Sequence, residues 1–188
     1  MASDVWLLSW RRTDESQGHS MARVERLDTG WLCNAAEVLA SPSETIACMF
    51  TVRLNQDWET REVEIVAVSK EGESRLSLRA DETQNWWRAG RPVPELRGCV
   101  DIDVAATPLT NTFPIRRFAS LSVAEHRTTP IAWVEVPTLH VTRVDQTYRR
   151  LARDRWEYSD PLHGAFELSV DNQGYVIDYE GFAARVTM

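Results

Sequence analysis

The chain has 188 residues, of which 43% are apolar and 26% are charged, and its formal net charge is -7 at pH 7. These fractions are typical of a globular domain, and they argue against a disordered or collagen-like protein. The acidic excess argues against nucleic acid or an anionic membrane surface as a partner, because both attract a basic footprint.

Alternation of apolar and polar residues predicts β-strands along most of the chain. Turn-forming residues such as Asp28-Thr29-Gly30 and Glu71-Gly72 separate many of these runs. In chain order, the predicted strands cover residues 6–10, 22–27, 31–38, 45–54, 62–67, 74–79, 131–136, 139–148, 155–158, 166–171 and 175–179.

Closely spaced strands joined by short turns indicate hairpins and meanders, so the predicted sheet is antiparallel. A flat sheet of about a dozen strands would leave exposed edges. We therefore expect an all-β fold with minor helix, either an incompletely closed β-barrel or a strongly curled sheet. One irregular segment, residues 105–118, contains two prolines that do not fit a central strand, and it is expected to hold a helical turn.

The sequence lacks the usual signals of export, membrane insertion and disulfide formation. No stretch approaches the roughly 18 to 20 consecutive apolar residues of a membrane span, and no basic segment followed by an apolar one opens the chain. The cysteines Cys33, Cys48 and Cys99 are odd in number and far apart. We expect one domain over residues 1–188, located in the cytoplasm, without integral membrane association.

Common catalytic and cofactor motifs are also missing. The eight glycines form no Gly-x-Gly, P-loop or Gly-x-Ser-x-Gly pattern, and the four histidines have no metal-ligand spacing. No cofactor or metal is therefore predicted.

One pair of carboxylates has two interpretations. Asp101 and Asp103 lie two residues apart, so both fall on one face of a strand. Such a pair can hold a cation or divide acid and base roles, and it can equally belong to a solvated strand face or close a turn before Thr107-Pro108.

Two blocks of sequence resemble the bacterial "Putative glycolipid-binding" family. Residues 54–61 read Leu-Asn-Gln-Asp-Trp-Glu-Thr-Arg, similar to the family's Leu-Asp-x-x-Trp-x-Thr-Arg. Residues 98–117 contain Gly-Cys-Val-Asp-Ile-Asp and Thr-Pro-Leu-Thr-Asn-Thr-Phe-Pro-Ile-Arg-Arg, and the family has nearly the same residues in this order. The match extends from about Arg53 to Val186. It departs from the family pattern at Asn55, where Asp is usual, and over the first fifty residues.

The resemblance implies a long, incompletely closed antiparallel barrel, like that of bacterial lipoprotein carriers, with ligand binding inferred from that likeness. The leading hypothesis is a non-enzymatic protein that binds an amphiphilic small molecule, such as a glycolipid, in the barrel cavity. Aromatic side chains would form the walls, and arginines would meet an anionic or sugar head group. The predicted ligand-binding residues are Trp58, Arg61, Trp86, Trp87, Asn111, Arg116, Arg117 and Tyr148.

Two alternatives remain open at this point. The chain could be an enzyme that acts on a sugar or lipid conjugate through Asp101 and Asp103, which requires both carboxylates to face one open space. It could also be a protein-interaction module without a ligand, which would show a filled interior and an exposed apolar patch. The identity of the ligand and the oligomeric state are not predicted.

Overall fold

The computed structural model describes residues 4–14, 17–105 and 107–186. The ends of the predicted domain (1–3, 187 and 188) and Ala106 of the predicted irregular segment lie outside the described residues. Strands account for 59% of the described residues and helices for 7%, which confirms the predicted all-β class. No helix in the described part of the chain is long and apolar enough to cross a bilayer.

The described strands all belong to one sheet. In chain order they are β1 (Val5–Arg12), β2 (Gln17–Leu27), β3 (Gly30–Ala40), β4 (Thr45–Leu54), β5 (Thr60–Ser69), β6 (Gly72–Ala80), β7 (Trp86–Arg88), β8 (Arg91–Pro92), β9 (Asp101–Val104), β10 (His126–Val134), β11 (Val141–Arg150), β12 (Arg155–Asp160), β13 (Gly164–Val170), β14 (Val176–Tyr179) and β15 (Ala183–Arg185). Short 3-10 helices cover Pro94–Leu96 and Leu109–Asn111, and one α-helix, α1, covers Thr112–Arg117.

Two antiparallel meanders form this sheet. The first runs from β1 to β8 and the second from β10 to β15, and they join where β1 pairs with β15. The exception to the predicted antiparallel pairing is β9, which lies parallel to β10. A long crossover, residues 105–125, separates these two strands, and a parallel pair needs a connection of that kind.

The topology forces the sheet to curl. The two outermost strands, β8 and β9, are consecutive in the chain, and residues 93–100 connect them. A connection of this length spans at most about 30 Å, whereas fifteen strands laid flat would be roughly 65 Å wide. The sheet therefore rolls until its two edges approach each other, in agreement with the predicted curled architecture.

Specific hydrogen bonds hold the rolled edge in place at the start of β5. The backbone N–H of Thr60 donates to the carbonyl of Val100 over 3.1 Å, and the Thr60 hydroxyl accepts the backbone N–H of Ile102, also over 3.1 Å. The Trp86 indole N–H donates to the Cys99 carbonyl over 2.9 Å. These contacts, which we call the seam, join β9 and the residues before it to the first meander without forming a continuous ladder of backbone hydrogen bonds.

Residues 107–117 lie inside the curl and fill much of it. Leu109 and Phe113 pack in the larger apolar core, whereas Ile115 packs in a second core against β11 to β14. Thr110, Asn111 and their neighbours in this segment are also buried, so their polar groups need partners inside the protein.

One acidic side chain also points inward. Glu37 on β3 is 1% exposed and accepts a hydrogen bond from the Ser20 hydroxyl, while its Oε1 has no partner among the described residues. Burial raises the pKa of Glu37 to about 8, although Ser20, Thr107 and the charge of Arg12 act in the opposite direction.

The seam at Thr60 can be tested by Thr60→Val, which keeps the branched shape but leaves the Ile102 N–H without its acceptor. We expect the free energy of unfolding to fall by about 1–3 kcal/mol in urea titrations. Thr128→Val is the matched control, because Thr128 is exposed on β10, and its effect should stay within about 0.5 kcal/mol. Equal losses in the two variants would contradict the proposed seam.

The buried acid predicts a pH-dependent stability. The folded-state pKa of Glu37 lies above its ordinary value of 4.5, so its favourable contribution is complete below about pH 4.5 and is lost as the pH rises through about 8. We expect Glu37→Gln to become more stable than the wild type across this range, by a difference of roughly 2–5 kcal/mol at the alkaline end. A difference between the two proteins that does not change with pH would refute this assignment.

Candidate ligand-binding site

Two of the predicted site residues, Trp58 and Arg116, meet at the wall of an open groove. The Arg116 guanidinium carbon lies 4.2 Å from the ring centroid of Trp58, 5.1 Å from that of Trp31 and 5.3 Å from that of Tyr175. Three aromatic rings thus surround one cation, at distances where the attraction between a cation and an aromatic face is effective. We call this group the arginine cage.

A five-residue loop between β4 and β5 places Trp58 in the cage. The Asn55 Oδ1 accepts the backbone N–H groups of Asp57 and Glu59, at 3.0 and 2.9 Å, and the Trp58 N–H donates to the Asn55 carbonyl. Trp58 has a φ of 65°, which is unusual for a bulky residue and is imposed by this turn. A side-chain oxygen is what the turn requires, so Asn55 can replace the Asp that the family usually has here.

The loop between β13 and β14 supports Arg116 from the other side. The Asp171 Oδ1 accepts the backbone N–H groups of Gln173 and Tyr175, both at 2.9 Å, and the Gln173 carbonyl accepts a hydrogen bond from Arg116. A β-carbon at Gly174 would lie 3.1 Å from the Cγ of Arg116, so glycine leaves room for the arginine stem. Partial burial lowers the pKa of Arg116, and the nearby Asp171 charge acts in the opposite direction.

The groove beside the cage has a volume of about 740 Å³. Ile115, Trp156 and Val170 provide apolar walls, and Arg150 and Asp154 are among the charged residues that border it. Arg150 donates to the carbonyls of Ala119 and Leu121, both at 2.7 Å, so it holds the backbone after α1. This groove, which we call the Arg116 groove, combines apolar walls with a fixed cation.

A second, smaller pocket of about 260 Å³ opens on the other side of the buried segment. Five of its twelve lining residues are Trp, Tyr or Phe, and Asp103 and Asn111 contribute polar atoms. We call it the Asp103 pocket, and it is lined by Asp103, Val104, Ala105, Thr107, Asn111, Trp133, Tyr158, His163, Phe166, Tyr179, Gly181 and Phe182.

Asn111 and Tyr148, two further predicted site residues, belong to a buried hydrogen-bond network behind this pocket. The Asn111 Nδ2 donates to the Tyr148 hydroxyl over 3.0 Å, and that hydroxyl donates to the Gln146 Oε1 over 3.1 Å. The Gln146 Nε2 donates to Asp103 at 2.6 Å and to the Tyr158 hydroxyl at 3.1 Å. Tyr148 is buried and lines neither cavity, so its role is to orient neighbouring groups.

Arg117, the neighbour of Arg116, lies in a different environment. Its guanidinium donates to both oxygens of Asp101, over 2.6 and 2.5 Å, and the Asp101 side chain is only 2% exposed. A buried bidentate ion pair of this kind holds α1 against β9. Asp101 and Asp103 therefore do not share one open space.

The other three predicted residues lie away from both cavities. Arg61 donates to the Glu59 carboxylate over 2.6 Å and borders a shallow depression of about 240 Å³. Trp86 is 2% exposed and supports the seam through Cys99. Trp87 points to the opposite face of β7 and borders a separate depression of about 450 Å³.

Sequence reasoning did not select several residues that line the two cavities. Trp31 and Tyr175 complete the arginine cage, and Tyr158, Phe166 and Tyr179 line the Asp103 pocket. All five lie within predicted strand runs, where an aromatic residue indicates the core as readily as a binding wall. Their inward direction was predictable from the alternation, but the cavities they border were not. Within the described residues there is no group of three or more His, Cys, Asp or Glu side chains that could hold a metal ion.

Known structures and families agree with this architecture. A DUF1089 family protein from Pseudomonas aeruginosa, solved by crystallography, is similar with 28% identity and a TM-score of 0.80, over 94% of this chain and 95% of that one. A β-barrel-like protein of a domain of unknown function, DUF1849, from Brucella abortus shares the fold at 12% identity and a TM-score of 0.54, over 96% of this chain and 92% of that one. No curated protein matches the sequence.

The family profile described as "Putative glycolipid-binding" matches residues 7–185. The match thus includes residues 7–50, where the sequence alone showed little resemblance to the family. Because this match covers nearly the whole sequence, the chain belongs to the "Putative glycolipid-binding" family.

Proposed function

We propose that this chain is a non-enzymatic binding protein for an amphiphilic ligand of the glycolipid class, and that the ligand binds in the Arg116 groove. The supporting observation is the arginine cage, which holds a cation 4.2 Å from the Trp58 ring at the wall of a groove of about 740 Å³. The description of the family supports the class of ligand.

The chemistry of the groove suits the two parts of an amphiphile. Apolar walls at Ile115, Trp156 and Val170 can cover a hydrocarbon chain or the apolar face of a sugar. Arg116 donates to only one described residue, Gln173, which leaves guanidinium N–H groups for a phosphate, carboxylate or hydroxyl oxygen. In this proposal Trp58 and Arg116 contact the ligand, while Arg117, Asn111 and Tyr148 hold the buried segment that carries Arg116.

The enzymatic alternative has less support from the geometry. A pair of catalytic carboxylates would need a common substrate, but Asp101 is closed off by Arg117 and only Asp103 borders a cavity.

The interaction-module alternative is favoured by a different observation. Met21, Ala36 and Met49 are direct cross-strand neighbours on the outer face of the sheet, and both methionines are more than half exposed.

This outer apolar row suits contact with another protein. If it mediates association, the apparent mass of the protein in light scattering should rise with concentration, and Met49→Lys should abolish that rise. A mass that is independent of concentration in both proteins would count against self-association through this face.

Binding in the groove can be tested by Arg116→Met, which keeps most of the apolar stem and removes the charge. Titrating a fluorescent anionic amphiphile into the variant should show an affinity about tenfold or more below that of the wild type, because a charged hydrogen bond is worth about 1.5–3 kcal/mol.

Arg75→Met is the matched control for this test. Arg75 pairs with Glu73 on the exposed surface of β6, away from the groove, and its loss should leave amphiphile binding unchanged. Wild-type binding by Arg116→Met, with only its thermal stability reduced, would assign Arg116 a purely structural role.

The position of Trp58 depends on the oxygen of Asn55, so Asn55→Ala and Asn55→Asp form a second matched pair. The alanine variant leaves two backbone N–H groups without their acceptor, and we expect about 1–2 kcal/mol of lost stability together with weaker amphiphile binding. The aspartate variant keeps the acceptor for both N–H groups and loses only the hydrogen bond that the Asn55 Nδ2 donates to Glu59 over 3.0 Å. It should therefore retain amphiphile binding and lose less stability than the alanine variant. If the two variants behave alike in chemical denaturation and in binding, the turn does not control the site.

A further inference from the structure

Two carboxylates on the same face of β9, Asp101 and Asp103, have different hydrogen-bond partners. Asp101 has a bidentate partner, Arg117, inside the protein. Asp103, two residues later, accepts hydrogen bonds from the Thr110 hydroxyl and from the Gln146 amide, both over 2.6 Å. Both of these donors are neutral, and Asp103 forms no ion pair with any described residue. Burial raises the pKa of both carboxyl groups, against the charge of Arg117 at Asp101 and against the hydrogen bonds from Thr110 and Gln146 at Asp103.

The imidazole of His163 acts against burial in setting the pKa of Asp103, but it makes its hydrogen bonds to a different carboxylate. His163 lies at the mouth of the pocket, and its Nδ1 faces the two oxygens of Asp160, both at 3.1 Å. Asp160 adds a second acidic side chain, and it also accepts hydrogen bonds from the Tyr158 hydroxyl and from backbone N–H groups. Asp160 does not line the pocket and its oxygens already have these partners, so Asp103 is the carboxylate that the pocket presents to a ligand.

Neighbouring aromatic rings form part of the wall of the same pocket. The Phe166 centroid lies 6.3 Å from that of Tyr158 and 5.6 Å from that of Tyr179, and the Tyr179 centroid lies 4.7 Å from that of Phe182. Two further residues of the pocket wall are in contact, because the Trp133 ring lies 5.4 Å from the His163 ring. An electron-rich aromatic wall beside a carboxylate is the environment that proteins use to bind ammonium groups.

We propose that the Asp103 pocket binds an ammonium group, primary or quaternary, carried by a small hydrophilic molecule or by the head group of a larger one. An ionised Asp103 without a counter-ion is unfavourable in a buried site, and a ligand cation supplies the missing partner. A volume of about 260 Å³ has room for a small head group and not for a long chain. This site is separate from the Arg116 groove, so the inference goes beyond the proposed amphiphile binding and does not depend on it.

Pairs of soluble probes that differ only in charge test the proposal on the wild-type protein. Choline chloride is compared with its uncharged analogue 3,3-dimethylbutan-1-ol, and methyl glucosaminide with methyl glucoside, at constant ionic strength. In calorimetric titrations, at least one charged probe should bind saturably and at least tenfold more tightly than its neutral partner. Because none of these probes has a long alkyl chain, a negative result would leave the proposal for the Arg116 groove intact.

Asp103→Asn tests the carboxylate at nearly constant shape. It should reduce the affinity for the charged probe at least tenfold, whereas the control Asp178→Asn should not change it. Asp178 is an exposed residue of β14 outside the pocket, so its substitution alters the net charge by the same amount. Tyr179→Leu, which removes part of the aromatic wall but keeps Asp103, should also weaken binding and serves if Asp103→Asn does not fold.

Three results would overturn the proposal. Neutral probes that bind as tightly as the charged ones would make the pocket a site for uncharged sugars or alcohols. Full affinity in Asp103→Asn would remove the carboxylate from recognition. Absence of saturable binding by either charged probe at millimolar concentrations would mean that the pocket does not recognise ammonium groups.

Discussion

The structure depends on the burial of a polar segment inside a curled sheet. Residues 107–117 occupy the interior, where each donor and acceptor needs a partner because water is largely excluded. Asp101 and Asp103 on β9 accept hydrogen bonds from Arg117 and Thr110 of this segment. The Tyr148 hydroxyl on β11 accepts one from Asn111. The ion pair between Arg117 and Asp101 is the strongest of these contacts, since it is bidentate and almost fully buried. Without it, Asp101 would be left as a buried carboxylate with no cation beside it, whereas Phe113 and Ile115 would still pack in the apolar cores.

The same buried segment divides the interior into two cavities. Arg116 reaches the groove on one side, and Asn111 reaches the pocket on the other. Strand β12 contributes to both, because Trp156 lines the groove and Tyr158, two residues further along the same face, lines the pocket. The cation is therefore placed at one cavity and the uncompensated carboxylate at the other.

Much of the fold could be predicted from the sequence, because alternation identifies half-buried strands wherever they occur. The curl was also predictable in outline, but the pairing of β1 with β15 and of β9 with β10 depends on contacts between distant segments. The site was harder to predict. Arg116 and Arg117 are adjacent in sequence, and on a helix adjacent residues point about 100° apart. Grouping them as one donor-rich loop could not show that one faces a groove and the other an internal carboxylate.

The roles of the aromatic residues also could not be predicted from the local sequence. Trp58, Trp86 and Tyr175 each lie within, at the end of or just after a turn in which an Asn or Asp side chain accepts two backbone N–H groups. This shared local device turns each ring inward, yet the rings do different things. The Trp86 indole N–H donates a hydrogen bond to the Cys99 carbonyl at the seam, whereas the rings of Trp58 and Tyr175 contact the Arg116 guanidinium. Local sequence thus determines the direction of such a ring. Whether the ring supports the fold or lines a binding site depends on which residue it contacts, and that residue comes from a distant part of the chain.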